Sequence, residues 1–124
     1  MYLLDTNIII DFCNSKLSEA AKNLLFSTIP TISVITSIEL FSSNQITDRE
    51  KLVLEEFVKI ATVCDHINSN IVLKAIEIRR IYKTKLPDAI IAATAISYNL
   101  ILLSRNTADF KKIEGLQLLD LYNL

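Results

Sequence analysis

The chain has little of what usually punctuates or cross-links a protein: one glycine, two prolines, two cysteines, one histidine and no tryptophan in 124 residues. So few Gly and Pro exclude a disordered or linker-rich chain and call for regular elements joined by short connections. Cys13 and Cys64 lie far apart without metal-type spacing, so they read as small buried hydrophobes, with a disulfide left open. His66 alone leaves room for at most one His-based triad and for no His-rich zinc site. Aromatic residues are only 7% of the chain, which argues against a base-stacking platform. No apolar run approaches the ~18 residues that span a bilayer, and no basic segment precedes the apolar run at Tyr2. No membrane partner is therefore expected, and the chain reads as cytoplasmic.

What remains is aliphatic. Hydrophobic residues make up 51% of a chain whose net charge is −1. That length suits one domain over 1–124, able to bury roughly two thirds of the surface of its unfolded chain. A balance so near zero does not advertise a nucleic-acid binder, so placement of charge has to carry the functional argument. The first placement that needs a reason is Asp5, set beside Leu3 and Leu4 and followed by Ile8-Ile9-Ile10. An unpartnered carboxylate there costs several kcal/mol or more. Backbone N–H donors at a helix start or a bound cation would each satisfy it.

Taken in order, Tyr2 to Leu4 reads as a buried strand, and Asn7 to Phe12 fits either helix or strand. Lys16 to Ser27 reads as a helix with Leu17, Ala20, Ala21, Leu24 and Leu25 on one face, stopped by Pro30. Thr31 to Ile35 is β-rich. Thr36 and Glu39 then have the spacing of a capping box, repeated by Thr47 and Glu50 before a helix that ends near Ile60. Ala61 to Cys64 is a third strand, and Asn68 or Ser69 caps a helix with Ile71, Val72, Ala75, Ile76 and Arg79 along one face. Pro87 suits the first position of the next helix, and Asn99 a left-handed cap after it. Leu100 to Ser104 is a buried strand, Thr107 to Ile113 a short helical turn ended by Gly115, and Leu116 to Leu121 a last strand. Alternating strands and helices predict a three-layer α/β/α domain with a mostly parallel sheet.

In such sheets the ligand site lies outside the carboxyl ends of the strands. Asp5 ends the first strand, Glu39 falls in the first helical turn after the second, and Asp109 follows the strand that ends at Ser104. Asp88 opens the helix before that strand, where its side of the sheet depends on a tilt the sequence does not fix. Each has an ordinary alternative, as a cap or a favourable first-turn charge. Jointly, converging carboxylates without His or Cys form a hard-oxygen set suited to Mg²⁺ or Mn²⁺, whose mutual repulsion would otherwise be destabilising.

The chain resembles the PIN-domain ribonucleases, and more narrowly the VapC-type toxins of toxin–antitoxin pairs. The matching stretches are Leu3-Leu4-Asp5-Thr6-Asn7, Ser33-Val34-Ile35-Thr36-Ser37-Ile38-Glu39-Leu40, Leu86-Pro87-Asp88-Ala89-Ile90-Ile91-Ala92-Ala93-Thr94-Ala95 and Leu103-Ser104-Arg105-Asn106-Thr107-Ala108-Asp109-Phe110. They span nearly the whole chain in order and spacing. The resemblance implies a PIN-like fold, with Asp5, Glu39 and Asp88 as catalytic metal-binding acids and Asp109 as a more variable fourth. Thr6, Ser104 and Asn106 match supporting polar positions. It further implies hydrolysis of RNA with Mg²⁺ or Mn²⁺, a cognate antitoxin as partner, and a homodimer formed through helices such as Asn68 to Tyr82. On that view the cost of burying Asp5 is met by a cation and not by a cap.

Setting those four acids aside leaves 10 of the 14 acidic residues against 13 basic ones, a weak lean toward phosphate. Arg79, Arg80, Lys83 and Lys85, just before Asp88, could guide an RNA backbone, as could Arg105, or could simply be solvated. Asp11, one or two turns past Asp5, is expected to face solvent. Competing readings are a housekeeping PIN nuclease, a non-catalytic PIN domain that binds RNA or a partner, and a receiver-type signalling domain with Asp65 as phospho-acceptor. The last lacks a Lys after a late strand.

Overall fold

Five strands of three residues each, β1 (Tyr2–Leu4), β2 (Thr31–Ser33), β3 (Thr62–Cys64), β4 (Ile101–Leu103) and β5 (Gln117–Leu119), form one sheet in the computed structural model, which describes residues Met1–Leu124. All pairings are parallel, in the order β3-β2-β1-β4-β5. Parallel neighbours need crossovers, and seven helices supply them: α1 (Thr6–Cys13), α2 (Glu19–Phe26), α3 (Val34–Phe41), α4 (Asp48–Ile60), α5 (Ser69–Tyr82), α6 (Leu86–Ser97) and α7 (Thr107–Phe110). A 3₁₀ turn, Leu121–Asn123, ends the chain.

Successive strand residues point to opposite faces, and here that divides the interior in two. Leu3 and Leu102 pack on one side with Ile71, Ile78, Ile91 and Phe110. Leu4, Ile32 and Leu103 pack on the other with Ile8, Leu25, Leu40 and Leu54. Each fully buried Leu contributes about 1.5–3 kcal/mol by leaving water. The three-layer α/β/α architecture with an all-parallel sheet is thus as expected.

The sheet also fixes where a site can form. From β1 the chain builds outward through β2 to β3, then crosses back to place β4 on the other side of β1. The loops after β1 and β4 therefore diverge, opening a crevice at their carboxyl ends. The Asp5 N–H donates to the Leu103 carbonyl at 2.9 Å, pinning the two strand ends together.

Several boundaries differ from the sequence reading. The strand expected to run to Ile35 stops at Ser33, whose Oγ caps α3 by accepting from the Thr36 N–H at 3.2 Å. Thr36 and Glu39 are therefore no capping box, and Glu39 sits in the second helical turn, because Val34 and Ile35 follow the packed helix over their β preference. The box at Thr47 forms, its Oγ1 accepting from the Glu50 N–H at 3.1 Å. Ser18 caps α2, so the helix starts at Glu19, later than Lys16; Leu17 is buried ahead of it and Ala20 is exposed. Pro87 is the second residue of α6, not the first. Asn7 to Phe12 is helical, and Asn99 takes the expected left-handed conformation at φ 54°. On α5, capped by Asn68, the buried residues are Ile71, Ala75 and Ile78, while Val72 and Ile76 point outward. Both cysteines are free thiols. No helix is long and apolar enough to cross a membrane.

Candidate active site

Asp5 leaves β1 at the crevice and is 6% exposed. Its two carboxylate oxygens have separate donors: the Thr6 N–H to Oδ1 at 2.8 Å and the Ser104 hydroxyl to Oδ2 at 2.8 Å. Asp5 is thus the N-cap of α1. The capping role that the sequence reading set aside is present, and Ser104 adds a second donor from across the crevice. Ser104, wholly buried, also accepts from the Asn106 N–H at 2.9 Å. Its hydroxyl both donates and accepts, so it cannot rotate without losing a bond.

Thr6 performs the same service for Glu39. Its Oγ1 donates to Glu39 Oε1 at 2.7 Å, which orients an otherwise exposed glutamate toward Asp5. Thr6 has one hydroxyl proton, and Glu39 takes it. The 3.3 Å contact between the Thr6 and Thr36 hydroxyls therefore has Thr36 as the donor. Thr36 is fully buried and belongs to the network. Its spacing alone suggests a cap; its i−3 position from Glu39 on one helix face is the signal for this network role.

Asp88 lies in the first turn of α6, half-buried, and reaches the same crevice. Burial pushes its carboxyl above the usual range, and the negative charges of Asp5, Glu39 and Asp109 push it further; Lys85 alone opposes them. Asp109 is exposed on α7, where the Asn106 side-chain amide donates to its Oδ2 at 2.8 Å. The four acids singled out in the sequence thus gather around one crevice, with Thr6 bonded to Asp5 and Glu39, Ser104 to Asp5 and Asn106 to Asp109. In their present positions no group of three or more His, Cys, Asp or Glu side chains could hold a metal ion.

One expectation fails nearby. Asp11 is 3% exposed instead of solvent-facing. Arg105 Nη1 contacts both its oxygens at 3.3 and 3.1 Å, and the Tyr122 hydroxyl donates to its Oδ2. One helical turn and a half after Asp5, α1 has turned Asp11 toward the loop after β4, where a buried carboxylate finds these partners. Arg105 engages Asp11 through Nη1 while its side chain stays 52% exposed. Arg79 is likewise engaged, its Nε donating to the Thr84 carbonyl at 3.2 Å. Lys83 and Lys85 remain exposed beside Asp88, and Arg80 is exposed as well.

A PIN domain model matches residues 2–116 of the chain. The chain belongs to the PIN-domain family. That membership removes the receiver-type alternative. Among curated proteins this PIN domain is similar to Ribonuclease VapC of Rickettsia bellii, 32% identical, with 94% of this chain and 93% of that one covered. Among solved structures, a toxin–antitoxin complex from Klebsiella pneumoniae holds a chain 33% identical, with TM-score 0.75 and 94% and 95% covered. A DNA-bound VapBC from Salmonella typhimurium holds one 26% identical, with TM-score 0.81 and 96% of each chain covered. PIN-domain nucleases generally use divalent metal ions.

Proposed function

We propose that this PIN domain is an endoribonuclease, the toxin of a toxin–antitoxin pair, working with Mg²⁺ or Mn²⁺ held by Asp5, Glu39, Asp88 and Asp109. The observation that carries the proposal is the crowding of negative charge at Asp88, where three other carboxylates act together against one lysine. Oxygen-only donors with surplus negative charge fit a hard divalent cation. Side-chain rotations would be needed to bring three of them onto one ion. The exposed Glu39 and Asp109 have that freedom; the doubly bonded Asp5 is the fixed point.

The cation supplies an activated water and stabilises charge on the phosphate. The chain's own residues do the positioning. Asp5 keeps a free lone pair on each oxygen after accepting from Thr6 and Ser104, so it can still bind while it is held. Thr6 aims Glu39, and Asn106 aims Asp109. No side chain is poised as a covalent nucleophile, which is consistent with direct hydrolysis by water.

Partners follow from the relatives, two of which were solved as toxin–antitoxin or VapBC complexes. The apolar cavity of about 380 Å³ walled by Phe12, Leu25, Phe26, Ile29, Phe57 and Ile60 offers an antitoxin segment an apolar seat. The outward side chains of α5, Val72, Leu73 and Ile76, suit a second copy of this chain. A single 1–124 domain acting in the cytoplasm completes the reading. The test is incubation of purified protein with structured RNA and Mg²⁺ or Mn²⁺. Cleavage that stops with EDTA and with Asp5→Asn is expected; cleavage untouched by Asp5→Asn would falsify the assignment. Growth arrest on expression, relieved by an antitoxin encoded beside it, separates the toxin from a housekeeping nuclease.

A further inference from the structure

Next to the acids lies a cavity of about 180 Å³ without a single apolar residue in its wall, formed by Lys83, Thr84, Lys85, Lys112, Asp88 and Asp109. We infer that its lysine side is a phosphate subsite for the RNA strand, taking a backbone phosphate beside the one presented to the acids. The inference rests on the nuclease reading and adds to it where the strand runs.

Four observations support an anion here. Lysines 22, 51, 59 and 74 are in ion pairs on the surface, whereas Lys83, Lys85 and Lys112, like Lys16 and Lys111, are in none, and for the first three this holds although two carboxylates share their cavity. Their ammonium groups stay apart from Asp88 and Asp109, leaving room between. The Thr84 residue is only 7% exposed and its Oγ1 has no hydrogen-bond partner, a condition shared in this chain only by Ser37. An unpaired buried hydroxyl costs free energy, and this one belongs to a residue of the cavity wall. The twelve-residue helix α6 starts at this wall with Lys85 as N-cap and no side-chain cap hydrogen bond, so first-turn N–H groups are open to a ligand oxygen, although Asp88 already answers the helix dipole there. Finally, the wall has a built shape: Lys83 closes α5 in the left-handed conformation, and Arg79 holds the Thr84 carbonyl at 3.2 Å. Arg79 thereby shapes the subsite.

The ligand is a phosphodiester, not a free phosphate, because Asp88 and Asp109 belong to both the cavity and the acid cluster. A strand whose scissile phosphate sits at the acids has its neighbouring phosphate at the lysines. Thr84 and Lys112 had no functional signal in the sequence, since Lys112 lies 27 positions from Lys85.

The test is binding of a labelled single-stranded RNA oligonucleotide in EDTA, followed by fluorescence anisotropy over a salt series. The double variant Lys83→Ala/Lys112→Ala should bind severalfold more weakly, and its slope of log affinity against log salt should shrink by roughly 0.7 for each phosphate it no longer neutralises. Thr84→Val, nearly isosteric, should leave that slope unchanged. Millimolar inorganic phosphate should compete in the wild type and not in the double variant. An unchanged slope in the double variant overturns the subsite. Displacement by polyglutamate at lower concentration than by inorganic phosphate assigns the wall to an acidic protein and overturns the RNA assignment. If the wild type cleaves RNA while the lysine variants bind it normally, only the subsite fails; if the wild type neither binds nor cleaves RNA, the nuclease reading beneath it fails too.

Discussion

Asp11→Ala separates the buried clamp from the solvent-facing Asp that the sequence suggests. Replacing an exposed Asp by Ala changes stability by no more than about 0.5 kcal/mol. Here the carboxylate is almost fully buried between Arg105 and Tyr122. Removing it deletes the Tyr122 bond to a charged acceptor and both interactions with Arg105. Hydrogen bonds to charged groups contribute about 1.5–3 kcal/mol when buried. The Arg105 side chain is 52% exposed and can rehydrate, so its share falls to about 1 kcal/mol or less. The total expected is about 2–3 kcal/mol, which for a domain of this size lowers Tm by roughly 8–12 °C.

The assay is thermal and urea unfolding followed by circular dichroism, at one protein concentration so that any self-association is held fixed. Tyr122→Phe should cost about 1–2 kcal/mol and Arg105→Ala about 1 kcal/mol or less. The double variant Asp11→Ala/Arg105→Ala should cost less than the sum of the singles, since the partners share one interaction. A loss under 0.5 kcal/mol for Asp11→Ala would refute the clamp. There is a functional corollary, because Arg105 lies between Ser104 and Asn106, which hold Asp5 and Asp109. At temperatures where the variant stays folded, Asp11→Ala should still slow RNA cleavage.

Other outcomes follow from the same geometry. Ser104→Ala removes the donor to Asp5 Oδ2 and the acceptor for the Asn106 N–H, so it should cost about 1–3 kcal/mol and lower cleavage, read by urea unfolding and RNA assay together. The raised carboxyl of Asp88 makes the folded, metal-free protein bind that proton more tightly than the unfolded chain does. Its contribution to stability is therefore full below the ordinary value near 3.8 and is lost as pH rises through the raised one. Unfolding in EDTA from about pH 4 to pH 7 should show the wild type losing more stability than Asp88→Asn; parallel curves would contradict it. At pH 7, Mg²⁺ or Mn²⁺ should raise the wild-type Tm in proportion to the logarithm of its concentration, and much less in Asp5→Asn. Leu73→Asp with Ile76→Asp should turn a dimer into a folded monomer in sedimentation.

The elements were legible wherever the signal was local. Aliphatic runs marked β1 and β4, Asn68 and Thr47 announced their helices, and Asn99 announced the end of α6. The failures came where a tertiary partner outweighed a local preference. Val34 and Ile35 prefer strands, yet Ser33 caps a helix that packs them, and this moved Glu39 one turn further along. The acids of the candidate site could be picked out because a parallel sheet sends its strand ends to one edge, so position alone argued for Asp5, Glu39 and Asp109. Asp88 needed the tilt of α6 against the sheet, which no single sequence prints. Asp11 shows why a charge cannot be placed by spacing alone: its burial depends on Arg105, 94 residues away, and on Tyr122, 111 away. Read locally, those three residues are an exposed acid, an RNA-binding base and a chain terminus. Brought together, they tie α1, the loop after β4 and the end of the chain around the crevice. The loop that carries Ser104 and Asn106 is thereby fixed from outside the site, and the acids it holds depend on residues that never touch them.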